Sequence, residues 1–153
     1  MDASSIEVYE HTLVIRDYEG LLDLLEGQLS FIGYSQTRGE IAQVLANAMK
    51  DESRSVLWVA YAQEKAVGFA FGNVCCGLES GGDYLWLNEL FVAEEARLQG
   101  LASRLLEAVR FWAKGRGCTY LALVTHPSNV RAQHLYRDAG LELENLVWVD
   151  TYL

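Results

Sequence analysis

Apolar residues along this 153-residue chain recur with two periods, near two and near 3.6, and the period switches mark the elements. Thr12–Arg16 reads as a first strand, with Ile6–Tyr9 either extending it or forming a short separate piece. Asp17-Tyr18-Glu19 opens a helix with Leu21, Leu24 or Leu25, and Leu29 on one face, ended by Phe31–Tyr34. Thr37 and Glu40 form a capping-box pattern before a second helix reaching about Lys50. Ser55–Ala62 and Ala66–Val74 read as a hairpin around Gln63-Glu64-Lys65. A glycine-rich loop, Gly77–Asp83, leads into the strand Tyr84–Val92. An amphipathic helix follows, with Leu101, Leu105, Ala108 or Val109, and Trp112 in phase, and stops at Lys114-Gly115-Arg116-Gly117. Thr119–Thr125 is nearly all apolar, as a strand covered on both faces is. A helix over Val130–Ala139, closed by Gly140, and a last strand over Leu146–Leu153 complete the order βααβββαβαβ. The central β–α–β is expected to be parallel and right-handed. No repeat or linker divides the chain, so residues 1–153 are expected to form a single α/β domain.

The junction between the central strand and its helix, Arg97-Leu98-Gln99-Gly100-Leu101-Ala102-Ser103, concentrates the candidate chemistry. Gly100 and Ala102 allow close approach to the backbone. The first turn of a helix offers unpaired N–H groups and a dipole that favours negative charge. This is an anion site suited to phosphate or pyrophosphate. No Gly-Lys-Ser/Thr follows, which excludes a P-loop, and the dinucleotide fingerprint lacks two of its three glycines. A tight turn that binds nothing is the competing reading.

Composition narrows the classes. A 51% apolar and 22% charged chain is globular, and no apolar run is long enough to cross a bilayer. Met1–Ser5 has neither a basic start nor an apolar segment, so no secretory leader is expected. Three cysteines, two of them adjacent at Cys75 and Cys76, argue against a disulfide framework and for a reducing cytoplasmic compartment. No Cys/His cluster has zinc-ligand spacing, so no metal is expected. The net charge of −9 argues against nucleic acid and favours cationic small molecules or basic peptides, unless acidity serves solubility alone.

The pattern Arg97-x-x-Gly100-x-Ala102, after a strand ending Leu90-Phe91-Val92 and before a long helix, resembles the acyl-CoA-binding signature of the GNAT superfamily of N-acetyltransferases. A second block resembles it too: His126-Pro127-Ser128-Asn129, then Ala132, then Tyr136 and Gly140-Leu141, where Leu141 replaces the family's Phe. Asn129 and Tyr136 are two helical turns apart and share a face. The resemblance implies a GNAT-type central mixed β-sheet flanked by helices, with splayed parallel strands forming the acyl-CoA cleft. It implies acetyl-CoA as co-substrate and direct attack on the thioester by a primary amine of a small molecule or peptide.

Residue by residue, the resemblance implies that Arg97, Leu98, Gln99, Gly100, Leu101, Ala102 and Ser103 hold the diphosphate. Leu90, Phe91 and Val92 supply a bulged strand amide for the carbonyl oxygen. Asn129 contacts the pantetheine arm, with a plain helix cap as its alternative. Tyr136, with an ordinary pKa of about 10 against about 8.5 for a thiol, protonates the leaving thiolate unless it merely packs in the core. The family's usual Glu position holds Asn88, with Glu89 one residue later. Successive strand residues face opposite ways, so Glu89 serves as base or amine anchor only if a bulge reorients it, with Asn88 positioning a water. A surface acid is the alternative for Glu89.

Histidine as a residue type suits base chemistry, which makes His126 and His134 candidates, but His126 lacks an orienting carboxylate in sequence. Trp58, Trp86, Tyr84 and Phe31 serve the core or an amine pocket. The rival function is a non-catalytic acyl-CoA-binding or sensing module of the same fold, favoured by Asn88. The apolar last strand leaves pairing across a homodimer open.

Overall fold

The computed structural model describes residues 4–153. Residues up to Leu123 form one compact unit and Val124–Leu153 a second. The first unit holds a five-stranded sheet: β1 (Ser5–Tyr9), β2 (Ser55–Ala62), β3 (Lys65–Gly77), β4 (Gly82–Val92) and β5 (Leu121–Ala122), in that spatial order. The first four strands are antiparallel and β4 runs parallel to β5, which makes the sheet mixed as expected. Its helices are α1 (Tyr18–Phe31), α2 (Arg38–Ala48) and α3 (Leu101–Gly115), with a 3-10 turn at Glu94–Ala96.

Helix placement follows from the apolar stripes. Leu21 and Leu24 of α1 and Ile41 and Leu45 of α2 bury against Leu57, Val59 and Phe69 on one face of the sheet. The other face takes α3. Gly68 is small because it must be: an added Cβ would stand 3.1 Å from the Phe91 carbonyl oxygen and 3.4 Å from Leu105 of α3. Trp58 is fully buried and meets Trp112 of α3 edge-on at 5.7 Å, so its role is core packing.

Capping fixes the ends of α1 and α2. Thr37 accepts the Glu40 N–H at 3.1 Å and Glu40 accepts the Thr37 N–H at 3.3 Å, the reciprocal box read from sequence. Asp17, in the left-handed region at φ 53°, accepts the Gly20 N–H and starts α1. Arg38 ties the two helices, reaching Glu19, Asp23 and Glu26 of α1.

Three strand expectations are corrected. Thr12–Arg16 is irregular; the strand is Ser5–Tyr9, in register with Tyr61 to Leu57 of β2. That segment pairs along the edge of β2, and His11, at φ 55°, lies in the bend that follows it. Thr119–Thr125 shortens to a two-residue ladder, Leu85↔Leu121 and Trp86↔Ala122, and its residues are half-buried or exposed rather than covered on both faces.

The second unit contains α4 (Val130–Asp138). Asn129 caps it by accepting the Ala132 N–H at 3.1 Å. Its end is a Schellman turn: Gly140 has φ +87°, the Leu141 N–H donates to the Tyr136 carbonyl and the Gly140 N–H to that of Arg137. Leu146–Leu153, expected as a strand, is not one. It forms no ladder among the described residues and exposes Leu146, Val147, Trp148, Val149 and Tyr152.

Candidate functional site

β4 carries the candidate residues of the first unit, and a bulge sets their geometry. Phe71 of β3 pairs with Glu89 and Gly72 pairs with Leu87, so Asn88 is one residue too many for its partner strand. The expected bulge at Leu90–Val92 is therefore corrected: those residues stay in register with Ala70, Phe69 and Gly68, and the irregularity lies at Asn88.

The displaced bulge answers the alternation problem. Glu89 is level with Phe71 and Phe91 with Phe69, on the α1/α2 face. Asn88 accepts a hydrogen bond from Asn73 Nδ2 at 2.8 Å, and Asn73, two residues beyond Phe71 on its strand, belongs to that same face. Consecutive residues Asn88 and Glu89 thus present side chains to one face. Glu89 is half-buried, and burial pushes its carboxyl above the ordinary carboxylate value. An ionisable acid there is a stronger base than one in water. Trp86, level with Asn73, is half-buried and shares the face.

The opposite edge of β4 is open. Pairing with β5 ends at Trp86↔Ala122, while β4 continues to Val92. From Leu87 to Val92 the strand's backbone on that side has no ladder among the described residues, so it is left without a strand partner there.

The turn at the end of β4 presents amides. Leu98, 89% exposed, and Gly100 both take left-handed conformations, at φ 68° and φ 75°. An added Cβ at Gly100 would meet nothing within 4 Å, so the space before the helix is empty. The first helical bond runs from the Arg104 N–H to the Gly100 carbonyl, and no side chain caps this end. The first-turn amides of Leu101, Ala102 and Ser103 are thereby left to a ligand or to water. Arg97 braces the turn: its Nε donates to the Val92 carbonyl at 2.9 Å and its guanidinium stands 5.6 Å from the centre of the Phe91 ring. An anion with several oxygens, such as a diphosphate, fits this uncapped start.

In the second unit, Tyr136 is 9% exposed and shares a face of α4 with Asn129, whose carboxamide oxygen is committed to the cap. Burial raises the Tyr136 hydroxyl pKa, so it stays protonated through neutral and mildly alkaline pH. His126 Nδ1 bonds Ser128 within its own loop. Phe31 is 78% exposed and so belongs to no core, while Tyr84 stacks edge-on with Tyr120.

Sequence reasoning missed Asn73 and Ser55. Ser55 donates to Asn73 Oδ1 at 2.6 Å. The signal was a polar Asn73 inside the otherwise apolar run Ala66–Val74.

Comparison with known proteins identifies the family and the fold. The sequence profile described as the Acetyltransferase (GNAT) family matches residues 19–141. An aminoglycoside N(6')-acetyltransferase type 1 of Serratia marcescens is 33% identical over 116 residues, covering 72% of this chain and 76% of that protein. An uncharacterized N-acetyltransferase of Bacillus subtilis, YhfO, is 31% identical over 66% of this chain and 68% of its own. Among solved structures, aminoglycoside N-acetyltransferase AAC(6')-Iy in complex with CoA superposes with a TM-score of 0.79 at 21% identity, covering 100% of this chain and 97% of the other.

Proposed function

Because the chain belongs to the GNAT acetyltransferase family, and is an acetyl-CoA-dependent N-acetyltransferase of a small-molecule amine, we propose that its acceptor is a polycationic amino sugar of the aminoglycoside type. The observation that carries the chemistry is the bulge at Asn88, which sets a half-buried carboxylate beside it on one face of β4. The acceptor class rests on the relatives' names and on a net charge of −9, which draws polycations toward the protein.

Acetyl-CoA supplies an activated acetyl thioester; the chain's residues do the rest. The amides of Arg97, Leu98, Gln99, Gly100, Leu101, Ala102 and Ser103 hold the diphosphate. The open edge of β4 offers the backbone N–H groups of Leu90 and Val92, either side of Phe91, to the thioester carbonyl oxygen. Glu89, through a water positioned by Asn88, takes the proton the amine loses on attack. Tyr136 gives a proton to the leaving thiolate, and Asn129 lines the pantetheine arm. Asn88 in the usual acid position suggested a sensing module; Glu89 on the same face removes the ground for that reading. Both compact units are assigned to one catalytic domain, which the family match across residues 19–141 supports.

An amine panel read by thiol release tests the acceptor. Aminoglycosides with a 6'-amine are expected to support turnover, and release confined to peptide amines would overturn the assignment. Ala102→Glu tests the diphosphate site. A carboxylate in the first turn of α3 favours the helix by about 0.3–1 kcal/mol, so thermal stability should hold or rise. The same charge competes for the amides, and coenzyme A affinity should fall at least about tenfold, which is about 1.4 kcal/mol. Calorimetric titration showing wild-type affinity would remove the diphosphate from this turn.

No helix among the described residues is long and apolar enough to cross a membrane, and use of acetyl-CoA suits the cytoplasm. The exposed apolar residues of Leu146–Leu153, with their strand-like composition, support pairing across a homodimer. Sedimentation should give twice the mass of one chain, and ending the chain at Asn145 should return it to a monomer; a monomeric full-length protein refutes this.

A further inference from the structure

The bulge that aims Glu89 is held by more than strand geometry. Asn88 Oδ1 accepts from Asn73 Nδ2 at 2.8 Å, and Asn73 Oδ1 accepts from Ser55 Oγ at 2.6 Å. Ser55 is the register partner of Asn73 on β2, and Asn73 that of Trp86 on β4. The chain of side chains therefore crosses three strands. Its outer end at Asn88 is exposed, where water competes for a lone amide pair. Its inner end is not: Ser55 is 9% exposed, the only buried polar residue among those described. Ser55 is itself fixed. Its N–H donates to Ser53 Oγ at 3.1 Å, and the Ser53 hydroxyl donates to the Ala48 carbonyl at the end of α2. A buried, fully partnered anchor lowers the freedom of every group strung from it.

We infer that Ser55 and Asn73 are positioning residues for acetyl transfer, a side-chain strut from the end of α2 that locks the Asn88 bulge and so fixes the direction of Glu89. The strut also sets the polarity of Asn88. Its oxygen faces Asn73, so its NH2 is turned outward as a donor. A donor there holds a water by its oxygen, leaving that water's lone pair and protons to pass between amine and Glu89. The inference rests on the assignment of Glu89 as base made above. Both act through Asn88.

A double-mutant cycle with two readouts tests it. Asn73→Ala should lower kcat about tenfold and displace the acidic limb of the pH profile, with KM for acetyl-CoA within about twofold. In an Asn88→Ala background the same change should cost nothing further, because the strut then has nothing to hold. Equal losses in both backgrounds would reduce Asn73 to a structural residue and overturn the inference. Hydrogen exchange gives a readout independent of turnover. Amides of residues 87–90 should exchange at least about tenfold faster in Asn73→Ala and Ser55→Ala, while the melting temperature moves little. Unchanged protection at the bulge overturns the strut whatever the activity. Faster exchange with no effect on the pH profile keeps the lock but refutes Glu89 as the base it serves.

Discussion

Tyr136→Phe is expected to lower kcat by on the order of 10²–10⁴, the usual contribution of a positioned general acid. KM for acetyl-CoA should stay within about twofold, because the ring that fills the buried position on α4 is kept. The reason is protonation. Burial pushes this hydroxyl above its ordinary value, so the wild type keeps its donor at every pH where the protein is assayed. No alkaline limb assignable to Tyr136 should appear below pH about 10. Coenzyme A titrated into the variant should bind as in the wild type. Steady-state kinetics with thiol detection measures the loss; a variant that turns over at the wild-type rate would return Tyr136 to plain core packing.

Glu89→Gln carries the second large effect. The wild-type kcat/KM should fall as pH drops through the raised pKa of Glu89, since only the carboxylate accepts a proton. The variant should lose that limb and fall about 10²–10⁴-fold at the optimum. The stability sign is opposite to that of an ion-paired acid. Burial alone raises this pKa, so the native state binds more protons than the unfolded chain between the ordinary carboxylate pKa, about 4.3, and the raised one. Ionisation therefore costs the native protein stability as pH rises through that window, and the penalty is complete above it. Glu89→Gln should abolish this slope. Urea unfolding at pH 4 and pH 8 measures it, and equal slopes in both proteins would mean that Glu89 is solvated.

What was legible in the chain was whatever its local chemistry decides. The Thr37–Glu40 box, the hairpin at Gln63-Glu64 and the Gly100 turn each depend on residues within a few positions, and each formed where expected. Strand placement depends on partners. Thr12–Arg16 has the composition of a strand, but Ser5–Tyr9 occupies the free edge of β2. Leu146–Leu153 has it too, and forms no ladder among the described residues. The bulge at Asn88 was legible only as a need. An acid one residue out of phase required a reorientation, yet its location is decided by the count of residues between two strands, which no single strand contains. Asn73 shows the same limit: a polar residue in an apolar run signals a partner without naming it.

The ladder between β4 and β5 that stops after two residue pairs has a cost for the empty protein. An unpaired strand margin is a template on which another chain can stack, and sheet proteins shield such margins to stay dispersed. Here a bound acyl carrier would provide the shield. Stocks kept without it should therefore cloud first.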